Sequence, residues 1–88
     1  MARFGFSKKE HLERARPLSK LSQLFARDTI RALRNENCPS ALNHLMRLAR
    51  VNARLVSERQ GAGKRGGTYR ALRSLERKFK KACVVGGR

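Results

Sequence analysis

The sequence predicts an all-α protein: a small antiparallel three-helix bundle with a short N-terminal helix and a basic glycine-rich loop before the last helix. Three observations carry this expectation. Apolar residues recur at intervals of three, four and seven along most of the chain, which is the period of a helix and not of a strand. Capping and turn residues fall between the periodic segments. Arginines recur at the same helical spacing on the arcs opposite the apolar residues.

The elements follow in order. Ser7 and Glu10 form an S-x-x-E capping box, so a short helix is expected over residues 8–16, with Glu10 and Glu13 near its positive end. Pro17 biases Arg16 away from helical angles and ends or kinks that helix. Leu18, Leu21, Phe25, Ala32 and Leu33 then mark a helix over 18–36, with Leu24 and Ile30 at the border of its apolar arc. Asn35 to Ser40, containing Asn37 and Pro39, reads as a turn in which either Asn37 or Ser40 caps the next helix. That helix, 41–59, gathers Leu42, Leu45, Leu48, Ala49, Leu55 and Val56 on one arc, with Asn52 among them and Val51 on the wrong side.

Residues 60–67 read QGAGKRGG, a basic loop with too little apolar content to anchor itself. Thr68 caps a last helix over 69–83, with Leu72, Leu75 and Phe79 as its apolar stripe, and 84–88 are expected to fray. Phe6, just ahead of the cap, is placed to staple onto the first turns near His11 or Leu12, and Phe4 is expected to pack across the same end. The whole, residues 1–88, makes one domain. At this length about 60% of the unfolded chain's surface is buried, so the core is small.

Charge decides the partner class. Lys and Arg number 22 against 6 Asp and Glu, a formal net charge of +16. So large an excess repels itself in the compact state unless counter-charges approach. Arginine, whose planar guanidinium grips phosphate through two donors, outnumbers lysine, which favours phosphate docking over mere solubility. The arginines form three rows: Arg27, Arg31 and Arg34; Arg47, Arg50 and Arg54; Arg70, Arg73 and Arg77. A charged helix face is ordinarily a solvated one, but ordinary faces mix signs and these hold few acids.

Other chemistries fit poorly. Gly61 to Thr68 resembles a phosphate-binding P-loop only superficially, because Arg65 follows Lys64 where Ser or Thr is required and no strand precedes it. Cys38, Cys83, His11 and His44 lack the short spacings of a zinc site, and the two cysteines read as reduced thiols. No acid pair or histidine sits in a plausible catalytic pocket, so no enzymatic activity, metal or cofactor is expected. No apolar run is long enough to cross a bilayer, and Met1 to Ser7 lacks a secretory signal's apolar stretch. Basic amphipathic helices also bind anionic lipid, but three successive leucine stripes are better matched to one another. The Asn35 to Ser40 link is too long for a helix-turn-helix DNA reader.

In length, charge and helix layout, with the basic segment Gly61 to Thr68 ahead of the last helix, the chain resembles the small helical proteins that thread among ribosomal RNA in the bacterial small subunit. Basic proteins of phage particles share those features. The resemblance implies a structural role in a nucleoprotein particle.

The expectation is therefore a non-enzymatic protein that holds the phosphate backbone of nucleic acid, RNA ahead of DNA, in the cytoplasm or within a nucleoprotein particle. The nine row arginines are the expected contacts, with Lys64 and Arg65 as a clamp, Tyr69 as a stacking residue, and Lys80 and Lys81 extending the last row. Asn43, His44, Asn52 and Gln60 are the weaker candidates for reading bases. Virion or nucleoid DNA and an acidic protein partner are the alternatives; oligomeric state is open.

Overall fold

Ser7 heads the first helix in the computed structural model, which describes residues 5–63 and 69–85. Its hydroxyl accepts the Glu10 amide at 3.2 Å, and its own amide donates to the Glu10 carboxylate at 2.9 Å. This is the reciprocal box that the sequence predicts. The helix it opens, α1 (Lys8–Arg34), is one element of 27 residues.

The expected division into 8–16 and 18–36 is thus corrected, because Pro17 lies inside a continuous helix. An interior proline costs about 3 kcal/mol through a lost hydrogen bond and a ring clash. Here the ring is exposed, on the solvent side of the helix, where water can meet the carbonyl it leaves without a donor. On the inner side Ala15, Thr29 and Ala32 are buried and Leu18 and Phe25 half-buried, one stripe that only an unbroken helix keeps in line. Tertiary packing overrides the local preference.

The turn is a Schellman motif. The Glu36 amide donates to the Leu33 carbonyl and the Asn37 amide to that of Ala32, with Glu36 at a left-handed φ of 55°. This ends α1 two residues ahead of the expected boundary. Asn37, not Ser40, caps the next helix, accepting the Ser40 amide at 3.2 Å, and Pro39 occupies the first turn, where no donor is needed. Helix α2 (Cys38–Gly61) therefore starts earlier and ends later than 41–59, taking in Gln60 and Gly61, which the sequence assigned to the loop. The rest of that loop, including Lys64, Arg65 and the Thr68 cap, lies outside the described residues apart from a turn at Ala62 and Gly63.

Helix α3 (Tyr69–Phe79) is followed by a π-helical segment, Lys80–Val85. The winding thus changes where a single helix to 83 was expected, and Val84 and Val85 are helical and not frayed; 86–88 fall outside the described residues, as does Phe4.

All three helices meet at one core. Leu45 and Leu48 of α2 and Leu72 and Leu75 of α3 are buried together, with Phe25, Ala26 and Ile30 of α1, Ala49 and Phe79 packed around them. Ile30, at the border of its arc by sequence, is drawn in by α3. Leu21 and Leu42, expected in the core, stay 40% and 44% exposed, and α3 covers only the part of the hairpin that carries Leu45 and Leu48. Beyond its reach that hairpin continues alone, closed over Leu55, Val56 and Ala62. The molecule is consequently elongated, 59 × 18 × 17 Å, with a radius of gyration of 15.4 Å where about 12 Å is usual for this length.

Two covalent and polar fastenings hold the ends. Cys38 and Cys83 form a disulfide, with Cα atoms 5.8 Å apart, which corrects their reading as reduced thiols. The fold brings the first residue of α2 and the π segment together, a proximity that a spacing of 45 residues does not announce. At the other end Glu58 receives the His11 Nδ1–H at 2.7 Å and the Arg14 Nε–H at 3.0 Å, clasping the start of α1 to the end of α2. Gly61 permits this close approach, since a Cβ there would lie 2.5 Å from the His11 ring.

Those two bonds, His11 first and Arg14 second, hold the Glu58 carboxyl below its ordinary value of 4.5. A carboxyl lowered in the folded state stabilises the fold at neutral pH, and that contribution disappears as pH falls below 4.5 through the folded value. Glu10, lowered by its bonds to Ser7, acts in the same direction. Glu58→Gln should accordingly make the acid limb of a melting-temperature profile shallower. A limb as steep as the parent's would remove the clasp from the account.

Candidate nucleic-acid interface

Each arginine row lies on the outer side of its helix because the apolar stripe commits the other side to the core. Arg27, Arg31 and Arg34 on α1, Arg47, Arg50 and Arg54 on α2, and Arg70, Arg73 and Arg77 on α3 are all exposed. None of the nine forms an ion pair with a described carboxylate. The ion pairs among the described residues both end on Glu58, through His11 and Arg14. The acid that interrupts the α2 sequence is therefore spent on the clasp, and the rows remain uncompensated.

The α1 row borders a shallow open groove with Gln23, Ala26 and Ile30. Three guanidinium groups beside an apolar floor and one amide suit a phosphodiester strand: charge for the phosphates, an apolar surface for sugar faces. Gln23 was missed by sequence reasoning, although it stands four residues before Arg27 and so on the same ridge.

Tyr69 opens α3 beside Arg70 and is 42% exposed, accessible to an unpaired base. Lys80 and Lys81 are exposed too, but on the π segment, whose winding carries them off the line of the α3 row. Lys64 and Arg65 fall outside the described residues. Phe6 packs as expected: its ring meets His11 edge-on at 5.7 Å, and the Arg14 guanidinium stacks over it at 4.3 Å.

Of the weaker candidates for base reading, Asn52 is 2% exposed and sunk in the seam between α1 and α2, its Nδ2 without a partner. Asn43 and Gln60 are exposed. His44 is half-buried beside Asp28, Arg31 and Asn37, with its Nδ1 turned inward and unpaired. Neither Asn52 nor His44 offers a donor pair to a groove, which leaves Asn43 and Gln60 as the accessible amides of this set. The disulfide removes both cysteines from any ligand set with His11 and His44.

Among the described residues no helix is long and apolar enough to cross a membrane. No family model matches the chain, and neither a curated protein nor a solved structure matches it.

Proposed function

We propose that this chain is a non-enzymatic nucleic-acid-binding protein that grips phosphate backbone through its helical arginine rows, an RNA-binding structural component of a nucleoprotein assembly built on an antiparallel helical bundle. The observation that carries this reading is the exposure of all nine row arginines with no ion pair to a described carboxylate. A solvated surface serves solubility with mixed signs; three single-sign rows keep a cost of self-repulsion that only a polyanion relieves. Lys64, Arg65, Tyr69, Lys80 and Lys81 complete the proposed contact set.

A second reading is favoured by one observation. The Cys38–Cys83 bond suits a surround in which disulfides persist, virions included, and so supports a virion DNA-binding protein over a free cytosolic one.

Affinity for a short RNA duplex, measured against salt, tests the class. A straight duplex engaging one row neutralises about three phosphates, which gives a slope of log affinity on log salt of roughly −2 to −3. A slope near zero would end the phosphate reading. Nuclease-treated purification that leaves the protein free of nucleic acid but holding one stoichiometric acidic protein would replace it with an adaptor.

A further inference from the structure

We propose that the molecule ties together two separate RNA helices, one held by the arginine row of α1 and the other by the row of α2; this rests on the RNA-binding function proposed above. The geometry behind it is the packing of the hairpin. Advancing 100° per residue, the α1 row stands about 160° around the helix from Phe25, Thr29 and Ala32, and the α2 row about 160° from Leu45, Leu48 and Asn52. Those inward residues of α1 and α2 belong to the same seam, buried or packed against the core. The two rows therefore emerge on opposite faces of a rod whose cross-section is 18 × 17 Å.

Each row runs parallel to its helix for about 10 Å. The α1 row lies within about 10 Å of the Asn35–Asn37 turn and the α2 row about 14 to 24 Å from it, so the two face opposite ways and are also displaced along the rod. A stiff duplex lying along one face reaches one row and leaves the other facing water. Neutralising one row removes three charges from a chain that carries +16, so the opposite face stays strongly positive and draws a second polyanion. The α3 row, Arg70, Arg73 and Arg77, points along a third direction, because α3 sits in the groove flanked by Ala26, Ile30 and Ala49. Two acids lie near the α1 row, Asp28 on α1 and Glu36 in the turn, but neither forms an ion pair with a row arginine; Glu10 and Glu13 lie in the first two turns of α1, and Glu58 is engaged in the clasp.

The test uses the full chain, a short biotinylated RNA duplex on beads and a fluorescent RNA duplex in solution. Fluorescence should be captured only when protein is present, and should fall again at excess protein, when every duplex is coated separately. Arg27→Gln, Arg31→Gln and Arg34→Gln together, and separately Arg47→Gln, Arg50→Gln and Arg54→Gln together, replace exposed residues with another good helix former. Each triple variant should lose roughly two- to threefold in affinity for one duplex, since other rows survive, but at least about tenfold in bridging, which needs two rows at once.

Binding by the parent without bridging at any ratio overturns this proposal and leaves the proposed function standing. Absence of binding to any duplex sinks both. A variant that bridges as well as the parent overturns the proposal, as does one row variant losing binding and bridging together while the other loses neither, because that pattern assigns bridging to one row doubled by a second copy. Capture of DNA duplexes but not RNA overturns the assignment to RNA. Circular dichroism of each variant verifies its helix content, and the parent titration decides the question by itself if a variant unfolds.

Discussion

Replacing Cys83 with serine is expected to release α3 from the hairpin and to cost the fold up to about 4 kcal/mol, the loop-closure contribution of a bond across 45 residues. The effect is large because little else docks α3. Only Leu72 and Leu75 are buried on it, with Phe79 half-buried, and the masses of α1 and α2 meet without it over much of their length. The variant, and equally the parent treated with dithiothreitol, should keep most of its helical circular dichroism while amide exchange over Tyr69–Phe79 accelerates far more than over α1 or α2. Denaturation midpoints that coincide for oxidised parent, reduced parent and variant would show that α3 is held by packing alone.

Leu55→Ala should cost about 2–5 kcal/mol, enough to leave a protein of this size substantially unfolded at 37 °C. Leu55 is 1% exposed and lies in the part of the hairpin that α3 does not reach, so no third layer can collapse into the vacancy. Leu42→Ala is the control, since Leu42 is 44% exposed on the same helix and should lose well under half as much. The comparison is made by urea denaturation of the two variants beside the parent. Equal losses would mean that the seam between α1 and α2 does not run where Leu55, Val56 and Ala15 place it.

The sequence carried the parts of this fold that depend on local chemistry. Ser7 with Glu10, Asn37 with Pro39, and the Leu72–Leu75–Phe79 stripe each announce themselves through spacing that only a helix can use. Even the inward turn of Asn52 follows from its position among leucines. What was hidden depends on partners distant in the chain. Pro17 reads as a terminus because its cost is local, whereas the packing that offsets it comes from α2. Two cysteines 45 residues apart carry no signal of pairing until α3 folds back. Glu36 takes a left-handed conformation that glycine or asparagine ordinarily supplies, so its residue type did not mark where within the expected turn α1 ends. The contact residues were legible one by one, since charge excess and period suffice to place an arginine outside. Their mutual arrangement was not, because facing directions exist only after the seam between α1 and α2 has chosen them.

Pro17 leaves the Glu13 carbonyl without its in-helix donor, on an exposed side of α1 that water reaches. The chain ahead of it, Lys8 to Arg16, is fastened by Ala15 in the seam with α2 and by Glu58, which holds His11 and Arg14. Protonating Glu58 removes the polar fastening and leaves the apolar one, so acid should loosen this end of the rod ahead of the arginine-bearing end.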